Sequence, residues 1–528
     1  MSTITARVSQ SALSTSPERQ SLSQRASTST QREPEAPATS VVVPLPRWKA
    51  TLVIVTIGLM TMMSTVLSGV LAVALPKIAK TLGIAESLLL WPASVYSLTC
   101  GCTLLLSGSL ADVFGSRLVY LIGSAFSTSM VLACGLSRSN VQLIVFRALH
   151  GIAISLCLPS SVSMIAGTFQ TGQRRNIAFA CLGGAQPMGF LVGLVIGGIL
   201  TDTIGWRPAF YILAGINAVV FCTALTCLPE KVGGARADVL HRFKTEIDWL
   251  GVVLISTSLG LLSYVLAAVT VHLSAISSPT NIALLILAVL LLPAFSIWVH
   301  HQEKAGRPAL IPNSIWRNPV FTSLCITAFF AWATVTANQY FLALYYQKVQ
   351  LLTAFDTSLR FLPLVVSGVL ANIAAGSLVR RVRADVLIGG SVLLSAATPL
   401  IMALIDPSLS YWTAAFTATL LSPIWADITL IVANLVVTQI FPSSTHGLAG
   451  GVSNTMAQVG TSLGLNFTAI LATGVTMSLA DVDKTSPSAL ERGYRAAFWA
   501  SFAATVLMLG VTGWGMGRMG KVGTEKTN

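Results

Sequence analysis

The chain has 528 residues, of which 54% are hydrophobic and only 10% are charged. Soluble domains carry about 25% charged residues, so this composition excludes a soluble protein and indicates one that crosses a lipid bilayer many times. The formal net charge of +13 does not indicate nucleic-acid binding. The basic residues lie in the N-terminal tail and in short gaps between apolar runs, as is typical of anchoring on an anionic membrane surface.

Residues 1–48 are rich in Ser, Thr, Pro, Gln and Arg and lack the apolar run of a signal peptide. This composition predicts a disordered cytoplasmic tail. Fourteen apolar segments follow, each long enough to span a hydrocarbon core of about 30 Å. They cover approximately residues 51–75, 89–110, 117–137, 141–167, 177–200, 208–228, 249–271, 281–301, 319–344, 356–379, 385–405, 411–440, 446–475 and 496–517. The sequence therefore predicts an all-α polytopic membrane protein.

The basic residues predict the orientation of these segments. With both termini in the cytoplasm, 22 of the 32 Lys and Arg residues fall in cytoplasmic tails and loops and 9 in outer loops. An excess of basic residues on the cytoplasmic side is the usual rule, so both termini are expected there. The predicted units are a cytoplasmic tail (1–48), an N-terminal six-helix bundle (49–228), a cytoplasmic linker (229–248), two additional transmembrane helices (249–301), a cytoplasmic loop (302–318), a C-terminal six-helix bundle (319–517) and a second tail (518–528).

The connection between the second and third segments is short and rich in glycine. It reads Gly108-Ser-Leu-Ala-Asp-Val-Phe-Gly-Ser-Arg117. Gly108 and Gly115 permit a tight turn between antiparallel helices. Asp112 and Arg117 lie where the helices meet the membrane surface, so each can pair with the other or with a neighbouring helix end. The simple interpretation is a helix hairpin with solvated charges at its ends.

The fourth segment contains an arginine, Arg147. An intramembrane arginine costs roughly 2.5–3.5 kcal/mol on insertion scales, so Arg147 is expected to face the interior of the bundle. Gly151 lies one helical turn away and would let a neighbouring helix approach. The alternative is that the long side chain extends to the nearby outer surface.

The fifth segment contains a glycine stripe. Gly189, Gly193 and Gly197 are spaced four apart, and Gly198 follows directly. Glycines at this spacing lie on one helix face and allow a second helix to pack closely. Such stripes indicate packing more often than function.

The twelfth segment contains the acidic residue that we predict to be functional, Asp427. A carboxyl group at membrane depth is a candidate functional group by default, and it can take up and release a proton. A neutral, hydrogen-bonded structural acid is the alternative. Polar and aromatic residues of several segments are the candidates for lining a substrate cavity: Trp91, Tyr96, Gln186, Asn338, Gln339, Asn434, Asn454 and Gln458.

No motif for nucleotide binding, metal binding or nucleophilic catalysis is intact in the sequence. The stretch from Gly515 to Lys521 approaches a Walker A motif, but Val522 replaces its Ser or Thr, and HExxH and GxSxG are absent. We therefore expect no cofactor, no metal and no enzymatic activity. The energy for transport against a gradient would come from a proton gradient or the membrane potential.

Three of these motifs resemble those of the major facilitator superfamily. The loop from Gly108 to Arg117 matches the family pattern between helices two and three, although Val113 and Ser116 replace two bases, and this resemblance implies a latch that stabilises one conformation. The stretch Leu143–Gly151 is similar to a helix-four motif whose arginine is implicated in proton coupling, which makes Arg147 a candidate for that role. The stretch Gly189–Gly198 resembles the antiporter motif G-x-x-x-G-P-x-x-G-G, with Leu194 in place of the proline.

The stretch around Asp427 resembles the fungal aminotriazole-resistance and boron-exporter branch of the fourteen-span drug:H⁺ antiporters. This resemblance implies a monomer in the plasma membrane, or alternatively in a vacuolar or vesicle membrane. It implies proton-coupled efflux of drugs, toxins or secondary metabolites by alternating access between two bundles. Export or import of a small nutrient or inorganic solute such as borate stays open, and so does a membrane receptor that transports nothing.

Overall fold

The computed structural model describes residues 46–169, 173–229, 239–271, 273–378, 381–441, 446–479 and 483–516. Across these ranges the chain forms seventeen α-helices and no strand. Fourteen helical spans among the described residues are long and apolar enough to cross a membrane, in agreement with the fourteen predicted segments.

The first six helices form one bundle. They are α1 (Arg47–Leu82), α2 (Trp91–Phe114), α3 (Ser116–Leu136), α4 (Asn140–Thr168), α5 (Gln173–Thr203) and α6 (Arg207–Cys227). Helix α1 packs on α5 and α6, α2 packs on α4, and α3 packs on α4 and α6. Helix α1 ends at Gly83, which adopts φ 66° and donates its N–H to the Ala79 carbonyl oxygen. Glycine tolerates this left-handed conformation without steric cost, so it ends the helix cleanly.

The predicted linker contains a short helix. It is α7 (Val239–Thr245), and it is followed by α8 (Trp249–Val271) and α9 (Pro279–Lys304). Helix α8 packs on α9 and also on α2 of the first bundle. Only 11% of the most apolar window of α9 is buried, so α9 presents its surface to lipid. These two helices are peripheral, as their low polarity predicts.

The second bundle follows α9. It contains α10 (Pro319–Leu344), α11 (Ala354–Arg360), α12 (Leu362–Leu378), α13 (Ala384–Leu404), α14 (Ala415–Leu421), α15 (Ile424–Ile440), α16 (His446–Ser478) and α17 (Pro487–Met516). Helix α10 packs on α15, α16 and α17, and α13 packs on α15 and α17. Helices α11 and α12 together form one membrane span, and so do α14 and α15, so the second bundle has six spans. The fold is therefore two six-span bundles with two extra helices between them along the chain.

Three predicted segments of the second bundle differ from the structure. The tenth is divided at Phe361 into α11 and α12. The twelfth is divided between α14 and α15 at Ser422 and Pro423, since a proline cannot continue the hydrogen-bonding ladder. Asp427 therefore lies in the first turn of α15 rather than in the middle of a continuous helix. The fourteenth helix begins at Pro487, nine residues before the predicted start. Its charged first turns are stabilised by an ion pair between Arg495 and Glu491 at 2.6 Å.

Candidate functional site

A cavity of about 190 Å³ lies between the two bundles. Helices α1, α2, α4 and α5 of the first bundle line one side, and α10, α12, α15 and α16 of the second line the other. No residue of α8 or α9 reaches it. Its walls therefore come from eight helices that are far apart in the sequence.

The α1 wall of the cavity carries four hydroxyl groups, on Thr61, Ser64, Thr65 and Ser68. Each donates to a carbonyl oxygen of α1 itself, for example Ser64 to Thr61 at 2.7 Å and Thr65 to Met62 at 2.9 Å. A hydroxyl that has used its proton in this way presents its lone pairs to the cavity. This wall is polar but uncharged, and sequence reasoning missed it, although the spacing of the four residues places them on one helix face.

Arg147 is almost completely buried, with 1% of its surface exposed. Its Nε donates to the Pro92 carbonyl oxygen at 3.0 Å, and its guanidinium group lies 4.4 Å from the centre of the Tyr96 ring. Its Nη1 lies 3.4 Å from Nδ1 of His150. Among the described residues no carboxylate forms an ion pair with Arg147. The side chain thus faces the cavity as a cation held by a carbonyl group and an aromatic ring, and it does not extend to the surface.

Asp427 lines the cavity from the second bundle. Its carboxyl group lies against Gly368 of α12, since a methyl group added there would lie 2.9 Å from Asp427 Oδ2. Among the described lining residues, Arg147 and Asp427 are the two with formal charges, and they lie on opposite bundles. The cavity therefore contains one fixed cation and one group able to exchange a proton. The described residues contain no cluster of three or more His, Cys, Asp or Glu side chains that could hold a metal ion.

Five of the predicted cavity residues line it: Tyr96, Gln186, Gln339, Asn454 and Gln458. Two do not. Trp91 lies at the start of α2, two residues before the lining residue Ala93, and Asn338 lies beside Gln339 on α10. The structure therefore does not place Trp91 and Asn338 among the lining side chains, although their neighbours line the cavity. The side chain of Asn434 lies outside the described residues. Trp332 and Tyr340 line the cavity and were not predicted.

The glycine stripe of α5 packs directly on α1. A methyl group added at Gly189 or Gly193 would collide with the carbonyl oxygen of Met62 or Val66, and one at Gly197 would lie 2.7 Å from the Val70 Cα. Gly198 faces the other bundle, because a methyl group there would lie 2.6 Å from the Ser358 hydroxyl oxygen. Three of the four glycines therefore have a packing role within the first bundle, and the fourth allows close contact between the bundles.

The bundles contact each other at the end of the molecule that contains Leu82, which we call the Leu82 end. Here Lys348 forms an ion pair with Glu86. Gln347 donates to the Val73 carbonyl oxygen at 2.9 Å, and the Phe355 N–H donates to the Asp202 carboxylate at 2.7 Å. Lys348 and Gln347 lie in a π-helical turn, Tyr345–Val349, that continues α10. The cavity is closed at this end.

The opposite end of the molecule contains Phe114, and α5 is less closely packed there than at the Leu82 end. We call it the Phe114 end. The first half of α5 is largely exposed: Ile177 and Met188 are 49% and 47% exposed, and nothing lies within 4 Å of a methyl group added at Gly183 or Gly184. The described part of this half of α5 thus lacks the close packing of its second half.

The predicted latch lies at the Phe114 end and contacts the linker helix. Gly115 adopts φ 92°, which requires glycine, and Arg117 donates to the Leu225 carbonyl oxygen at 2.9 Å, so it binds a neighbouring helix end. Arg242 of α7 donates to the Asp112 backbone oxygen at 3.3 Å and to the Glu246 carboxylate. This hydrogen bond from Arg242 holds the pKa of Glu246 below its usual value. Sequence reasoning missed α7 as a partner of this loop.

Comparison with known proteins agrees with this geometry. A model of the Major Facilitator Superfamily matches residues 57–465. The chain is 41% identical over 521 residues to MFS-type transporter 1 of Pyricularia oryzae, covering 90% of this chain and 85% of that protein. It is 24% identical over 429 residues to the efflux pump terJ of Aspergillus terreus, covering 80% of each.

A solved structure shows the same fold. The bacterial homologue of the human lysosomal transporter Spinster, in an inward-facing and unoccupied conformation, matches with a TM-score of 0.61 at 14% identity, over 89% of this chain and 98% of that one. The extent of the family match, the identity to MFS-type transporter 1 and the central cavity between two six-helix bundles lead to one conclusion: the chain belongs to the Major Facilitator Superfamily of membrane transporters.

Proposed function

We propose that this protein is a proton-coupled antiporter that exports small organic molecules such as drugs, toxins or secondary metabolites. The observation that carries the proposal is the central cavity, in which Arg147 and Asp427 lie on opposite bundles and no other lining residue that the structure describes is charged. The identity to an efflux pump supports the direction of transport. The fourteen spans support membership of the fourteen-span drug:H⁺ antiporter branch.

The proposed cycle begins with both termini in the cytoplasm of a plasma-membrane monomer. In this orientation the Leu82 end is external, and the contacts between the bundles close the cavity on that side. The substrate enters from the Phe114 end, the bundles rock, and the Leu82 end opens. Asp427 takes up a proton from outside and releases it to the cytoplasm. One proton moving across 100 mV supplies about 2.3 kcal/mol, enough for a concentration ratio of about 50-fold.

The cavity suits a small molecule with both apolar and polar surface, because its lining is more apolar than polar. Its volume of about 190 Å³ somewhat exceeds the roughly 150 Å³ of an apolar cavity that holds benzene. Hydroxyl and amide groups can bind polar atoms, while Tyr96, Trp332 and Tyr340 offer aromatic surfaces. The hydroxyl wall of α1 also favours a second candidate, a small nutrient or inorganic solute such as borate. A deletion strain separates the two, because toxin sensitivity indicates drug export and a growth requirement indicates nutrient transport.

The function is tested with purified protein in liposomes that contain a pH-sensitive dye. A panel of solutes that includes puromycin, aminotriazole and borate is added to vesicles without a pH gradient. An antiporter moves protons against the solute flux, so an added substrate changes the internal pH, and an imposed pH gradient drives its accumulation. Proton movement in the same direction as the solute would indicate a symporter and contradict the proposal.

Arg147→Lys is expected to reduce transport by about 10- to 100-fold, because a hydrogen bond to a charged group contributes about 1.5–3 kcal/mol and lysine cannot reproduce the guanidinium geometry. The matched control is Arg207→Lys. Arg207 also lies over an aromatic ring, at 4.5 Å from the Trp206 centroid, and also donates to a carbonyl oxygen, that of Ser137 at 3.1 Å, but it lies outside the cavity. Equal transport rates in the two variants would show that Arg147 has no specific role in transport.

Asp112→Asn is expected to slow transport by about tenfold while the protein still reaches the membrane, since a latch worth ~1.4 kcal/mol changes the balance between conformations by that factor. The control is Glu303→Gln, which removes an acidic charge at the same end but on the peripheral helix α9. Flux and surface expression are measured for both. Wild-type flux in Asp112→Asn would show that the Asp112 carboxylate has no role as a latch.

A further inference from the structure

A groove separate from the central cavity lies at the Leu82 end and is open to the surface. It has a volume of about 440 Å³. Its walls come from the segment that follows α10, from the end of α11 and from the connection between α13 and α14. We propose that this groove binds the phosphate-bearing headgroup of an acidic phospholipid, and that Arg360 is the residue that recognises the phosphate.

Arg360 is held in place by its neighbours. Its guanidinium group lies 5.2 Å from the centre of the Tyr346 ring and 5.1 Å from that of the Tyr411 ring. Its Nη1 donates to the side-chain oxygen of Gln350, and its own carbonyl oxygen accepts from the Tyr411 hydroxyl group at 2.8 Å. Two rings and one amide thus fix the guanidinium group before a ligand binds, which lowers the entropic cost of binding.

The positive charge of Arg360 has no acidic partner in the part of the chain that the structure describes. Arg360 is also the one residue with a formal charge among those that line the groove. The acidic residues next to the groove along the chain are engaged elsewhere: Asp356 accepts from Thr353 at 2.9 Å. Asp406 accepts from Ser408 at 2.8 Å. The guanidinium N–H groups that do not bind Gln350 can therefore bind two oxygen atoms of a phosphate in a paired geometry.

The position of the groove favours a lipid over a phosphate ion in solution. Tyr411 and Trp412 lie in the connection between the membrane spans Ala384–Leu404 and Ala415–Val437. Trp412 is 73% exposed and Leu409 is 44% exposed. Trp and Tyr residues at the ends of membrane spans typically lie at the level of the headgroups, where their rings contact lipid. An exposed apolar side chain beside a fixed cation suits the boundary between a headgroup and its acyl chains.

The segment that forms one wall of the groove has an unusual backbone. It follows the π-helical turn Tyr345–Val349, and Leu351 then adopts φ 55°. This left-handed conformation is rare for a bulky residue, and such strain is often found at functional sites. The same π-helical turn contains Gln347 and Lys348, whose contacts close the cavity at this end. A headgroup bound at Arg360 thus lies beside the segment that joins the two bundles.

The test is lipid binding by the purified full-length protein in detergent, measured by native mass spectrometry with dihexanoyl lipids. The wild type is expected to bind phosphatidylglycerol more tightly than phosphatidylcholine, because only the former has a net negative charge. Arg360→Gln is expected to weaken the binding of phosphatidylglycerol by about 10- to 100-fold, the change that corresponds to a lost hydrogen bond to a charged group. Trp412→Ala is also expected to weaken it, and this exposed side chain can be removed without disturbing the core.

The matched control is Arg207→Gln. Arg207 lies at the same end and over an aromatic ring, that of Trp206, but it lines neither the cavity nor the groove. This variant should bind the lipid as the wild type does. Wild-type affinity in both Arg360→Gln and Trp412→Ala would overturn the proposal, and so would an equal loss of affinity in Arg207→Gln.

A soluble probe distinguishes the two sources of phosphate. Glycerol 3-phosphate carries the phosphate group without acyl chains, so we expect it to bind much more weakly than phosphatidylglycerol. Equal affinity for the two would contradict a lipid site and indicate a site for soluble phosphate esters. Neither a transported solute nor a pH gradient is present in these measurements, so their outcome is independent of the proposed transport function.

Discussion

Asp427→Asn is expected to abolish proton-driven accumulation of the substrate while the protein folds and binds normally. Asparagine has nearly the same size and keeps a side chain that can form hydrogen bonds, but its amide cannot take up and release a proton. A coupled exporter could reach a ratio of about 50-fold at 100 mV with one proton, and an uncoupled variant can only equilibrate its substrate to a ratio of about one. The measurement is substrate accumulation in proteoliposomes with an imposed pH gradient and potential.

The control for this variant is Asp483→Asn. Asp483 is exposed in the connection between α16 and α17, and its carboxylate accepts hydrogen bonds from Thr485 at 2.8 and 3.0 Å. The Asp483→Asn variant also loses one carboxyl group, but far from the cavity, so it should accumulate substrate as the wild type does. Exchange of labelled for unlabelled substrate, which needs no net proton movement, should survive in Asp427→Asn. Undiminished accumulation in that variant would remove Asp427 from the coupling step.

Gly193→Ala is expected to destabilise the first bundle strongly. The added methyl group would collide with the Val66 carbonyl group, a backbone atom that cannot move without shifting α1. Overpacking of this kind typically costs about 1–3 kcal/mol, and here the contact is with backbone rather than with a flexible side chain. The variant should show a lower melting temperature and a larger aggregated fraction in detergent, measured by fluorescence-detected size exclusion after heating.

Gly183→Ala on the same helix is the natural comparison. Nothing lies within 4 Å of a methyl group at this position, and the residue is exposed. Both substitutions gain about 1 kcal/mol or less of intrinsic helix propensity, so the difference between the two isolates the packing contact. Gly183→Ala should keep or raise the melting temperature. Equal melting temperatures for the two variants would show that the α1–α5 contact does not limit stability.

The transmembrane helices could be predicted from the sequence because length and hydrophobicity are local properties. All fourteen segments are present, and their largest errors lie where local rules compete: at the Pro423 break and at the charged start of α17. A search for apolar segments misses the start of α17 because that start is charged. An ion pair between Arg495 and Glu491 offsets these charges and supports the helix there.

The cavity was only partly predictable because its residues meet through tertiary packing. Intramembrane charges are costly, and this singled out Arg147 and Asp427. Neighbouring polar residues such as Asn338 and Gln339 cannot be told apart without the helical phase, and only Gln339 lines the cavity. The conformational role of the loop around Asp112 stays a prediction.

Helix α8 bridges the two bundles on one flank of the molecule. Its Leu259 packs with Leu98 of α2 and Val459 of α16, and its Ser256 donates to the Cys102 carbonyl oxygen at 3.2 Å. Leu259 and Ser256 therefore add contacts on the flank where α2 already packs directly on α16. If the bundles rotate relative to each other, the displacement would be smallest on this flank and largest on the opposite one, where α5 packs on α11 and α12.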